Sequence, residues 1–119
     1  MLATDGALAA DLFQSTLREI GRDVVLPSDA DQARLTELIG EVKAGTADAT
    51  SYQRLALVLS DLAARGAGVT IAGCTEISAL LGAYRVQGGP DVIDPALELA
   101  LAAIQRARLF APLSASLAG

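Results

Sequence analysis

The stretch that most constrains this chain is Val69-Thr70-Ile71-Ala72-Gly73-Cys74-Thr75-Glu76-Ile77. A short apolar run that begins with β-branched residues predicts a buried strand. Gly73 lets the backbone turn tightly, and Thr75 and Glu76 open a helix that continues through Ile77, Leu80 and Leu81. Cys74, the only cysteine in the sequence, falls at the junction. There, backbone N–H groups and the helix dipole favour an anion and are expected to lower a thiol pKa.

The same alternation of strand and helix runs along the chain. Met1–Thr4 reads as the tail of a strand that turns at Asp5-Gly6. Ala7–Ile20 has helical spacing, with Leu8, Leu12, Phe13, Leu17 and Ile20 on one face and Gly21 as C-cap. Val24–Leu26 predicts a short strand stopped by Pro27. Ser28 or Asp29 caps the next helix, which carries Leu35, Leu38, Ile39 and Val42 and ends near Lys43-Ala44-Gly45. Thr50 or Ser51 caps a long helix that leads to Gly66, and the central unit follows to about Ala83. Tyr84–Pro90 is a Gly-rich loop, Val92-Ile93 a last short strand, and Pro95 opens a final helix that Pro112 stops. The prediction is one α/β domain over 1–119, with a parallel sheet of about four strands flanked by helices and a frayed tail at 112–119. Ligands of such sheets sit at the carboxyl ends of the strands, where Thr4, Pro27, Cys74 and Asp94 fall.

Composition narrows the function. The chain has 119 residues, 52% of them hydrophobic, enough for a packed core. A formal net charge of -5 without a basic cluster argues against a nucleic-acid partner. No stretch of roughly twenty uncharged apolar residues predicts a membrane span. The opening residues lack the pattern of a signal peptide, and a lone cysteine suits a reducing cytoplasm. The sequence has no histidine, so the commonest general base and zinc ligand are missing and no metal is expected. The final helix is apolar on most of its surface, through Leu97, Leu99, Leu101, Ile104, Leu109 and Phe110. Such a helix is expected to pack on a surface that this chain lacks.

Gly73-Cys74-Thr75-Glu76-Ile77, followed by Asp91-Val92-Ile93-Asp94-Pro95, resembles the second half of the aspartate/glutamate racemase family. Leu2-Ala3-Thr4-Asp5-Gly6 resembles the start of that family's second domain, and Ile39 with Lys43 and Gly45 resembles its Ile-x-x-x-Lys-x-Gly stretch. The resemblance implies one domain of a two-domain α/β fold with the active site between the domains. It implies a reaction without pyridoxal phosphate, other cofactor or metal. Two cysteines, one from each domain, would exchange protons with opposite faces of the substrate's α-carbon. On this resemblance Cys74 is the second-domain cysteine. Thr75 and the backbone N–H groups after Cys74 hold the α-carboxylate, Lys43 holds the side-chain carboxylate, and Thr4 and Glu76 belong to the substrate pocket. Glu76 stands where glutamate-specific members usually have histidine, which favours the aspartate-type or a broader branch.

The chain departs from the family pattern in two ways. Ala7 stands where members commonly have threonine, and the first domain with its cysteine is missing. A truncated, split or degenerate racemase is therefore expected, completed by a first domain or by a homodimer mate. Two other readings stay open. One is a catalytically inactive interaction module, in which Cys74 is a small buried hydrophobe and Lys43, Thr75 and Glu76 are ordinary helix-end residues. The other is a single-cysteine decarboxylase of the same superfamily.

Overall fold

The computed structural model describes residues 1–83 and 91–110. Its elements run α1 (Asp5–Ala9), α2 (Gln14–Glu19), α3 (Asp29–Ala44), α4 (Ala49–Ala64), β1 (Val69–Ile71), α5 (Thr75–Ala83), β2 (Asp91–Ile93) and α6 (Pro95–Phe110). β1 and β2 pair in parallel, with Val69 opposite Asp91 and Ile71 opposite Ile93. Amides of one strand point alternately to its two sides. Accordingly the N–H of Ala72 donates to the Ile93 carbonyl at 2.9 Å, while the N–H of Gly73 donates to Leu2 at 2.7 Å. The Leu2–Ala72 contact is an isolated parallel bridge. β1 thus lies between the opening segment and β2.

The core is aliphatic. Leu35, Leu38 and Ile39 of α3 meet Leu55, Val58, Leu59 and Leu62 of α4, with Leu2, Ala72, Ile77 and Leu80 closing the cluster. The α4 positions recur every three or four residues, the spacing that puts them on one helix face. Ser28 caps α3 by accepting the N–H of Asp31 at 3.2 Å, and Gly45 ends it at φ 70°. Between the two helices, the hydroxyl of Ser51 donates to Glu41 at 2.5 Å and the guanidinium of Arg54 pairs with the same carboxylate. These two hydrogen bonds hold the Glu41 carboxyl below its ordinary pKa.

The parallel α/β architecture read from the sequence is present, with differences of detail. Two strands form among the described residues, where about four were predicted. The opening segment contributes only the Leu2 bridge. Val24–Leu26 forms no strand; its tie to the neighbouring segment is the terminal amine of Met1 donating to the Val25 carbonyl at 2.7 Å. Pro27, which has no N–H to give, ends that run.

The single helix predicted over Ala7–Ile20 is two short helices. Asp11 adopts φ 53° and breaks the spiral, and the side-chain amide of Gln14 reaches back to the Leu8 carbonyl at 3.0 Å. The apolar stripe splits as a result, and Leu12 and Ile20 are 63% and 66% exposed. The cap of α4 is Asp48 rather than Thr50 or Ser51. Its carboxylate takes the N–H groups of both those residues, and Ser51 returns a bond to the Asp48 N–H in a capping box. Asp94 caps α6, with Pro95 in its first turn as predicted. The Tyr84–Pro90 loop, Pro112 and the 112–119 tail lie outside the described residues.

From Ala96 to Phe110 every residue of α6 is exposed. Leu99, Leu109 and Phe110 are each more than two-thirds bare. Among the described residues no helix is long and apolar enough to cross a membrane.

Candidate active site

Parallel strands deliver their carboxyl ends to one edge of the sheet, and Thr4, Cys74 and Asp94 all stand just past such an end. Gly73 lets the end of β1 lie close to the opening segment. A β-carbon there would sit 3.0 Å from the Leu2 carbonyl oxygen and 3.2 Å from the ring of Phe13, so a neighbour would have to give way by a few tenths of an ångström. The residue after it, Cys74, starts α5. Its carbonyl accepts the N–H groups of Ile77 at 3.1 Å and Ser78 at 3.2 Å.

The thiol is half-buried and has a partner. Cys74 Sγ donates to Oε2 of Glu76 at 2.9 Å, and the hydroxyl of Thr75 donates to the same oxygen at 3.1 Å. Opposing forces act on the sulfur. Burial and the Glu76 carboxylate raise the thiol pKa, whereas the backbone N–H groups of Glu76 and Ile77 lower it. The first pair wins, so the lowered pKa expected from the helix N-terminus is not found. The reason is local: the helix supplies the donors, but its second residue is a carboxylate that prefers a proton on sulfur. Glu76 itself is held below its ordinary pKa, first by the thiol's hydrogen bond, then by its own backbone N–H, with smaller help from Thr75 and from the charge of Lys43.

Lys43 is exposed on the last turn of α3, within electrostatic reach of Glu76. It lines a cavity of about 320 Å³ together with Thr4, Asp5, Gly6, Ile39 and Gly40. Thr4 is a helix cap as well as a wall residue, since its hydroxyl accepts the N–H of Ala7 at 3.2 Å. The predicted residues therefore fall into two adjoining groups. Cys74, Thr75 and Glu76 form a hydrogen-bonded cluster at the head of α5, while Lys43 and Thr4 face the cavity between α1 and α3. Asp5, Gly6 and Gly40 were not singled out by sequence. The one available signal was Gly40, a helix-weakening residue in the interior of a helical pattern. Among the described residues no group of three or more His, Cys, Asp or Glu side chains gathers to hold a metal ion.

Comparison with known proteins bears on the family and the fold. The family described as Asp/Glu/hydantoin racemase matches residues 1–103. A crystal structure of a candidate Asp/Glu racemase from Yersinia pestis superposes with a TM-score of 0.65 at 28% sequence identity, covering 78% of this chain. The match spans 40% of the Yersinia chain, so this chain corresponds to well under half the length of that relative. With the family profile covering most of its residues and a crystal structure sharing its fold, the chain belongs to the Asp/Glu/hydantoin racemase family.

Proposed function

We propose that this chain is the second-domain half of a cofactor-independent racemase acting on aspartate or glutamate, with Cys74 as the acid/base on one face of the α-carbon. The observation that carries this reading is the thiol of Cys74 at the carboxyl end of β1, hydrogen-bonded to Glu76 and facing the first amides of α5. Burial and Glu76 keep the sulfur protonated, so Cys74 begins the cycle as the proton donor. A base on the opposite face, from a first domain or a second copy of this chain, removes the α-proton. The electron pair left on carbon spreads into the α-carboxylate, and the Cys74 S–H bond breaks as a new C–H bond forms. The thiolate left behind is stabilised by the N–H groups of Glu76 and Ile77. In the reverse direction it takes the proton back.

In this reading Lys43 holds the side-chain carboxylate, Thr75 contacts the α-carboxylate, Thr4 lines the pocket, and Glu76 acts on the thiol rather than on the substrate. The bare α6 is the surface through which the missing half is bound. An unpaired catalytic thiol fits a reducing compartment, and the cytoplasm is the setting we infer.

The test is α-proton exchange of aspartate in heavy water, followed by NMR, with this chain alone and with a supplied first-domain half. Exchange should need the added half and should vanish in Cys74→Ala. No exchange with the partner present, or full activity after Cys74→Ala, would overturn the reading. The raised thiol pKa and the uncovered α6 favour a second reading, a racemase-like module that pairs through α6 without chemistry. It predicts slow alkylation of Cys74 and no effect of aspartate on the melting temperature.

A further inference from the structure

Glycine weakens a helix relative to alanine, so its presence there calls for a reason. Gly21, Gly45 and Gly66 have positive φ just past helix ends, and Gly73 is hemmed in by Leu2 and Phe13. Gly40 and, near the end of α5, Gly82 meet neither condition, and of these two Gly40 lines a cavity. It lies inside α3, four residues before the last, in ordinary helical conformation, and a methyl group added to it would meet no atom within 4 Å. What lies above it is the cavity of about 320 Å³. Gly6, in α1 on the facing wall, likewise has nothing within 4 Å of where a side chain would begin. Gly6 and Gly40 therefore present bare backbone to this cavity, which Ile39 and Lys43 also line.

The cavity also has polarity. Asp5 lines it too and is held by the side-chain amide of Gln32 at 2.8 Å. No ion pair joins Asp5 to Lys43 among the described residues. A carboxylate entering the cavity is repelled by Asp5 and drawn toward Lys43.

We propose that Gly40, with Gly6 of α1, sets how long a substrate side chain the cavity beside Lys43 can take. This rests on the racemase reading and assigns its size-determining residue.

The experiment is an amide-resolved NMR titration of the 119-residue chain with L-aspartate and, separately, L-glutamate, repeated for Gly40→Ala and Gly40→Leu. In the wild type, the amides of Gly6, Gly40 and Lys43 should shift with ligand. Gly40→Leu should weaken binding about tenfold or more, the scale of a methylene that does not fit. Gly40→Ala should raise the melting temperature yet weaken glutamate more than aspartate, a combination that a purely structural glycine would not give. The alanine variant carries the test if the leucine variant fails to fold. Absent shifts at Gly6 and Gly40, unchanged affinity in both variants, or equal loss for the two acids would overturn the assignment. Cys74-dependent exchange at the α-carbon is read separately, so the racemase reading can survive that failure.

Discussion

The thiol of Cys74 and the carboxylate of Glu76, two residues apart in the first turn of α5, share a hydrogen bond of 2.9 Å. Each shifts the other: Glu76 pushes the thiol pKa up, and the thiol pulls the carboxyl pKa down. Replacing Glu76 by Gln removes the negative charge that opposes a thiolate and leaves the amides of Glu76 and Ile77 that favour one. The thiol pKa of Glu76→Gln should therefore fall, and alkylation by iodoacetamide at pH 7 should become several-fold faster. A rate equal to or below the wild type would show that burial alone governs the sulfur.

The pair also predicts how stability responds to pH. A carboxyl whose folded pKa is depressed contributes stability above its unfolded value, and loses it as pH falls through the folded one. Glu76, Glu41 and Asp48 all behave so, and the chain should lose melting temperature below about 4.5, their contribution vanishing once each is protonated in the folded state too. Cys74 has the opposite sign. Its folded pKa is raised above the ordinary 9.0, so its contribution is intact below that value and fades as pH climbs toward the folded one. Cys74→Ser should flatten the alkaline limb of a melting-temperature profile and leave the acid limb in place.

Thr70 is wholly buried on β1, and its hydroxyl has no hydrogen-bond partner among the described residues. A valine has nearly the same shape and no hydroxyl to desolvate. Thr70→Val should stabilise the chain by about 1 kcal/mol in urea unfolding. A loss of similar size would mean that the hydroxyl is satisfied after all.

Gly73→Ala tests the turn into the active site. The added methyl must push against the Leu2 carbonyl, which is backbone and cannot swing aside. The expected cost is about 1–3 kcal/mol, with loss of the Leu2–Ala72 bridge seen as faster amide exchange at Gly73.

Leu99 and Leu109 of α6 stay 72% and 82% exposed among the described residues. Leu99→Gln with Leu109→Gln should leave the unfolding free energy within about 0.5 kcal/mol of the wild type while lowering binding of a hydrophobic dye. A large destabilisation would show that α6 docks on its own domain.

Much of this was legible in the sequence because it rests on local rules. The β-branched run at Val69–Ile71, the glycine turn, the paired Asp94-Pro95 and the three- and four-residue spacing on α3 and α4 each report a short-range preference. The family resemblance, carried by Gly73–Ile77, Asp91–Pro95, Leu2–Gly6 and the Ile39, Lys43 and Gly45 stretch, is borne out by the comparisons. What the sequence did not reveal depends on distance in space. Asp11 breaks the helix after Ala9 through backbone geometry that an apolar pattern does not encode. Val24–Leu26 has strand-like residues, but the Met1 amine and the Arg65 guanidinium, not a neighbouring strand, take its carbonyls. The thiol pKa lies on the other side because burial, and after it the Glu76 carboxylate, outweigh the helix N-terminus. Of the cavity's walls, Thr4 and Lys43 were legible as pocket residues, whereas Gly6 and Gly40 have no side chain to mark them.

The parallel bridge from Leu2 to Ala72 joins residues about seventy positions apart. Closing so long a loop costs more entropy than pairing neighbours in sequence. α3 and α4 follow one another along the chain and can clasp each other before that bridge forms. Folding should thus begin as a helical hairpin and finish by laying Leu2 alongside β1.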